Sequence, residues 1–352
     1  MGGAEHLWGK EFVVARLMRE QRSNGRLDPQ LITFCPSLLG TMLAAEGFHV
    51  DVLSSEHTHG FADALSEIPR ILRGRHSTIV HSHGYRANIV AKTMRLTGRA
   101  RGIRVISTQH GWVNSSHGLR VYNAIDRFTT FLSDATTVPD PNMLMQLNRA
   151  GNCSVIANCV PDLDAEKRAE QGRQSGQILI VGILGRVCAA KGIHELLAAA
   201  QALNDGSVSF LVAGDGDMAQ QVRDAGGFVH FMGYVADSES FLDAIDIFVQ
   251  ASHSEGLSLS LLEAMRAGKA IVATDVGGTA SAVCHEESAL LIPARDPGAL
   301  QSALERLRAD PELRRRLGNN ARAKFETEFR MEKQHDAFLK IYFDEQQLTN
   351  KA

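Results

Sequence analysis

The chain has 352 residues, 44% of them hydrophobic, 22% charged and only 6% aromatic, with a formal net charge of −3. This usage excludes disordered and collagen-like chains, and the length suffices for two domains with cores of their own. The five cysteines (Cys35, Cys153, Cys159, Cys188 and Cys284) are scattered and never spaced as C-x-x-C. That argues against a disulfide framework or a zinc knuckle and fits a reducing cytoplasm.

In chain order, short apolar runs alternate with segments of helical period, the rhythm of βα units. The pattern predicts a helix over 4–22, a strand over 30–35, a helix over 38–46 and a strand over 48–53. A helix over 62–73, a strand over 78–83, a helix over 85–96 and a strand over 103–109 come next. A helix over 121–132 and a strand over 135–138 follow, and the first series ends near 153–156. After a polar stretch, 162–176, that reads as linker and surface helix, strands are expected at 178–184, 208–213, 228–232, 247–250, 270–274 and 289–292, then a helical tail over 297–347. No apolar run reaches the length of a membrane span, and the start lacks the order of a signal peptide, so the expected location is cytoplasmic, peripheral at most.

Parallel sheets covered by helices suit the abundance of Ala, Leu, Val and Gly, so the expected class is α/β with two doubly wound domains. The boundaries expected are 1–157 and 158–332, with 333–352 packing back on the first domain. One departure stands out. A doubly wound sheet opens with a central strand, yet here the Gly2-Gly3 turn comes at once. The first strand is missing from the pattern: either it lies upstream, or the first sheet has a gap between the strands that should flank it.

Glu255 lies in a Ser-rich turn after the strand 247–250, and Glu263 follows in a helix expected over 260–267. Backbone N–H groups at Gly256, Leu257 and Ser258 would suit a diphosphate, while carboxylates accept from sugar and ribose hydroxyls. Ser260-Leu261-Leu262-Glu263 is equally a capping box, which would give Glu263 a purely structural task. His81 and His83, spaced i and i+2, have no third ligand in pattern and read as cleft or acceptor-side residues. Gly214, Gly216 and Ala219 satisfy a dinucleotide fingerprint, but on the second unit of their domain, where a tight turn accounts for both glycines. The strings Asp162-Leu163-Asp164 and Asp215-Gly216-Asp217 fall in linker or turn positions and read as coincidence, so no metal is expected.

The string EGLSLSLLEAMRAGKAIVATDVGG, from Glu255 to Gly278, resembles the E-x7-E region of glycosyltransferase family 4 in the GT-B superfamily, and the resemblance extends over nearly the whole chain. It implies two Rossmann-like domains facing a cleft that closes around the donor. It implies that Glu255 meets the donor sugar and Glu263 the ribose. Between Gly185 and Gly192, GRVCAAKG is similar to the loop whose Arg and Lys, here Arg186 and Lys191, hold the donor diphosphate. Charge that grows on a leaving diphosphate is met there by a guanidinium and an ammonium. The Gly214 turn and the segment Gly233-Tyr234-Val235 resemble the donor-side turn and the base-contacting stretch, Gly2-Gly3 the loop opening onto the donor, and Gln109-His110-Gly111 a strand end whose His contacts the transferred sugar. Ala157 and Cys159 depart from the Pro and Gly of the usual interdomain segment.

The implied activity is retaining transfer of a hexosyl unit from a nucleotide diphosphate sugar to a hydroxyl of a polysaccharide or lipid-linked glycan, with no metal or other cofactor. Two rivals keep the fold: a nucleotide-sugar epimerase and a catalytically silent subunit. Residues 70–127 hold eleven Lys or Arg against one acid, Asp126, a balance that attracts phosphates such as those of a membrane leaflet, or else marks solvated helix faces. Without interleaved aromatics, that stretch is not read as a nucleic-acid site.

Overall fold

The computed structural model describes residue 7 and residues 9–53, 60–111, 117–147, 152–163 and 178–343. Two compact units emerge, one of Met1–Asn158 with Met331–Ala352 and the other of Cys159–Arg330. Gly2 and Gly3, most of the expected linker and the end of the tail lie outside the described residues.

The first unit runs α1 (Gly9–Asn24), β1 (Leu31–Thr33), α2 (Leu38–Ala45), β2 (Val50–Val52), α3 (Phe61–Gly74), β3 (Ile79–His83), α4 (Tyr85–Leu96) and β4 (Arg104–Thr108). It continues with α5 (His117–Phe128), a 3-10 turn (Thr130–Leu132), β5 (Ala135–Val138), α6 (Pro141–Met145) and β6 (Cys153–Val155). The second unit runs β7 (Leu179–Leu184), a 3-10 turn (Ala189–Lys191), α7 (Ile193–Ala202), β8 (Val208–Ala213), α8 (Ala219–Ala225), β9 (Val229–Gly233), α9 (Ser238–Asp243) and β10 (Ile247–Gln250). Then come α10 (Leu259–Arg266), β11 (Ala270–Thr274), α11 (Thr279–Ala282), β12 (Leu290–Ile292), α12 (Pro297–Ala309) and α13 (Pro311–Glu328), before α14 (Met331–Phe343) returns to the first unit.

In the first unit the described strands form two parallel sheets, β1–β2 and β3–β4–β5–β6. The break falls between β1 and β3, where a doubly wound order would place its opening strand. β3 and β4 pair in register from Ile79 opposite Arg104 to His83 opposite Thr108, which sets the ends of both strands side by side. Leu72, Val90, Met94 and Val105 form one core cluster, and Val14, Met18, Leu43 and Phe48 another. The helix expected over 121–132 starts earlier, at His117, and ends at Phe128, because the chain tightens there into the 3-10 turn.

The six described strands of the second unit are all parallel, in the order β12–β11–β10–β7–β8–β9. Chain direction across the sheet reverses between β7 and β10, which makes that pair the topological switch point. Near-continuous apolar runs, such as Ile247–Gln250 and Ala270–Thr274, fit strands covered on both faces. The helical tail is divided where the sequence places D-P: Asp296 and Asp310 cap α12 and α13, accepting from Ala299 N and Leu313 N, with Pro297 and Pro311 at the first helical positions.

Candidate functional site

In open parallel sheets, ligands bind outside the carboxyl ends of the strands at the switch point. Here the two loops that leave that point are Gly185–Lys191, after β7, and Ala251–Ser258, after β10. They are tied together by a hydrogen bond from His253 N to Ala190 O at 2.9 Å. Across them Lys191 Nζ donates to Glu255 Oε2, forming an ion pair whose side chains are 30% and 14% exposed. Beside it, His253 Nε2 and Glu195 Oε1 lie 2.9 Å apart. A cation and a carboxylate therefore share the spot where topology favours a ligand.

Glycines shape the same spot. Gly277 has φ +52°, and a Cβ on it would lie 1.7 Å from Glu255 O, so the turn that ends the Glu255–Gly278 string presses directly on its first residue. Gly214, at φ +138°, leaves similar space for Gly185 O at 1.7 Å, so the turn after β8 backs onto the loop that carries Arg186. Gly214 N donates to Gly233 O at 2.7 Å, which brings β9's end into the same cluster of loops. Next to it, Tyr234 is part-buried, and burial raises its phenol above the usual range.

Helix α10 starts one residue earlier than the sequence suggests, and this moves its cap. Ser258, not Ser260, is the N-cap residue, and its Oγ accepts from Leu261 N and meets Ser260 Oγ at 3.0 Å. Glu263 thus lies in the fifth helical position, too far along to serve the capping box, and is buried on α10. Leu257 is buried in the turn that leads into α10. Arg186 and Val235 sit in the surrounding loops, Arg186 exposed and Val235 part-buried, and Gly256 is part-buried beside Glu255. The structure brings Lys191 and Glu255 together; Arg186 and Glu263 take no part in that bond.

The first unit holds a second polar cluster, at the carboxyl ends of β3 and β4. His83 Nδ1 lies 2.9 Å from His110 Nε2, with the rings stacked. His81 bridges Tyr342 Oη (2.7 Å from Nδ1) and Thr108 Oγ1 (2.6 Å from Nε2). The phenol of Tyr342 accepts from Gln21 Nε2 at 2.9 Å. Thr108 Oγ1 in turn meets Thr137 Oγ1 at 2.6 Å. Burial drives the pKa values of His81 and His110 down to about 3, helped at His81 by His110 and at His110 by the charge of Lys10. His83 also falls well below its usual value, by burial first and then by His81, His110 and Lys10. All three rings are neutral near pH 7.

This corrects the reading of His81 as a cleft or acceptor-side residue, since both its ring nitrogens are spent inside the fold. His83 is instead the direct partner of His110. The pairing was latent in H-S-H and T-Q-H at the ends of two strands that turn out adjacent, whereas Tyr342, far along the chain on α14, gave no local signal. Gln109 anchors the same strand end by donating to Asp126 O at 3.2 Å.

The sequence comparisons divide as the chain does. The model of Glycosyltransferase Family 4 matches residues 9–162, and that of Glycosyl transferases group 1 matches residues 164–324. The chain belongs to glycosyltransferase family 4 and has the GT-B fold. A lipopolysaccharide core biosynthesis glycosyltransferase, LpsD of Rhizobium meliloti, is 30% identical over 57% of this chain and 61% of its own length. The N,N'-diacetylbacillosaminyl-diphospho-undecaprenol alpha-1,3-N-acetylgalactosaminyltransferase of Campylobacter jejuni is 32% identical over 40% of this chain and 39% of its own. The chain thus spans 39% to 61% of the length of these two curated relatives. Among solved structures, Anabaena Alr3699/HepE in complex with UDP-glucose matches this family-4 chain with a TM-score of 0.80 at 18% identity, covering 96% of this chain and 97% of that one. At that identity the likeness speaks for the fold.

Proposed function

We propose that this chain is a retaining glycosyltransferase that moves a hexosyl unit from a nucleotide diphosphate sugar to a hydroxyl of a polysaccharide or lipid-linked glycan. The observation that carries the reading is the Lys191–Glu255 pair at the β7/β10 switch point. In this reading the donor diphosphate takes Lys191 and Arg186, and Glu255, released from Lys191, accepts from sugar hydroxyls. Glu263 serves the ribose, and the loop of Gly233, Tyr234 and Val235 the base. His110, neutral and steadied by His83, contacts the transferred sugar.

The bond between the sugar's anomeric carbon and the β-phosphate oxygen breaks as the acceptor oxygen bonds that carbon from the same face. The acceptor proton passes to the departing diphosphate, and the cations offset its growing charge without a required metal. The complex of Alr3699/HepE with UDP-glucose makes uridine diphosphate hexoses the first donors to try, and the named relatives point to lipopolysaccharide-type or undecaprenyl-linked acceptors. The test is a donor and acceptor panel read by NMR of the product. Transfer with the donor's anomeric configuration kept, and turnover surviving EDTA, is expected. An inverted product, turnover only with Mn²⁺, or release of an epimerised sugar nucleotide without acceptor would contradict the reading.

A further inference from the structure

Helix α5 has its polarity reversed. Its inward side is polar: Asn123 and Asp126 are buried, and Asp126 accepts from Lys92 Nζ at 2.6 Å and from Asn88 Nδ2 at 3.0 Å. Lys92 is itself buried, so this ion pair is enclosed, and burial both raises the Asp126 carboxyl and lowers the Lys92 ammonium from their usual ranges. The outward side is apolar: Val121, Tyr122, Ile125 and Phe128 are exposed, Phe128 at 63%. Spaced by three and four residues, they form one stripe. The stripe is prolonged by Phe131, exposed in the 3-10 turn that follows. A water-facing helix shows the opposite arrangement, and a continuous apolar surface of this kind marks a place that something covers.

The charge of the segment that holds the stripe is mainly of one sign. Of the eleven basic residues and one acid in 70–127, Lys92 and Asp126 neutralise each other in the interior, which leaves ten arginines (11 − 1 = 10), of which Arg75 and Arg95 pair with Asp51 and Asp134 from outside the segment. Arg86, Arg99, Arg101 and Arg120 are exposed. Tyr85 lies 5.8 Å from Tyr122, ring to ring, so the first turn of α4, with Arg86, adjoins the stripe. A second copy of this face would set arginine against arginine, a like-charge contact. Lipid phosphates over acyl chains match both halves of the surface. Among the described residues no helix is long and apolar enough to cross a membrane, so such contact would be interfacial.

We propose that the outward face of α5 docks on an anionic lipid bilayer, with Tyr122, Ile125, Phe128 and Phe131 entering the acyl boundary and the neighbouring arginines meeting lipid phosphates. The surface belongs to the first unit and the Lys191–Glu255 pair to the second, and vesicle binding is read without donor or acceptor, so it can fail or succeed independently of the transfer reaction. The experiment is flotation of the full chain with vesicles of phosphatidylcholine alone and of phosphatidylcholine mixed with phosphatidylglycerol. Binding to the mixed vesicles only, weakened by salt, is expected.

Ile125→Ser with Phe128→Ser should lower the partition coefficient about tenfold or more, and Arg99→Gln with Arg101→Gln and Arg120→Gln should weaken it comparably. Hydrogen exchange of the wild-type chain gives a readout that does not depend on variants folding: the segment 117–131 should gain protection when mixed vesicles are added. Three results would overturn the proposal: equal binding to both vesicle types, no binding, or unchanged exchange in that segment. So would a lipid-free dimer that the Ile125/Phe128 variant turns into a monomer with vesicle binding intact, which would assign the face to a second copy.

Discussion

Lys191 and Glu255 lie 64 positions apart in sequence and meet because two parallel strands of the second unit deliver their loops to one place. Each supplies the charge the other lacks, and a bound diphosphate would compete for the same ammonium. The histidines of the first unit behave differently. With folded pKa values of about 3 at His81 and His110, and one well lowered at His83, they stay neutral where an unfolded chain would take up protons. The stability this gives is present above the unfolded value of about 6.5 and is lost as pH falls toward about 3. Each ring contributes up to about 1.4 kcal/mol per pH unit inside that window. Urea unfolding should therefore show a marked loss of stability between about pH 7 and 5, with a shallower slope in His83→Gln. A pH-independent midpoint, or an unchanged slope in the variant, would contradict the neutral cluster.

Among the elements, the turn at Gly277 does most to join the site to its scaffold. Gly277→Ala would drive a Cβ into Glu255 O, where 1.7 Å separates them, at a backbone angle of +52° that side chains avoid. Loss of stability on the order of 2 kcal/mol and a weakened donor site are expected, measured by thermal melting and donor titration. Strand positions such as 208–213, 247–250 and 270–274 could be read directly from their near-continuous apolar runs, because buried parallel strands leave no polar face to blur them. Caps and faces were less legible. Two serines two residues apart compete for the start of α10, and only packing selects Ser258. The amphipathic pattern of α5 was visible, but its inward side was not: a buried Lys92 on α4 reverses the usual orientation, and that partner lies 34 residues away.

For the whole molecule, the sheet order of the second unit carries the most weight. β12–β11–β10–β7–β8–β9 fixes a switch point, and Arg186, Lys191 and Glu255, three of the residues whose likeness to family 4 was legible in the sequence, lie on the loops leaving it. Among the described strands, those of the first unit form two sheets, and the break falls where a doubly wound order places its opening strand. The histidine and tyrosine network needs α14 to return to the first unit, a contact across 261 positions that no local pattern announces. In the proposed function, the switch point of the second unit binds a nucleotide diphosphate sugar through Lys191. Isothermal titration of wild type and Lys191→Ala with UDP-glucose and its GDP and ADP counterparts tests it most directly. Wild type should bind one of them, and the variant should bind it about a hundredfold more weakly while melting at the same temperature. Equal affinity in a folded Lys191→Ala would contradict the account.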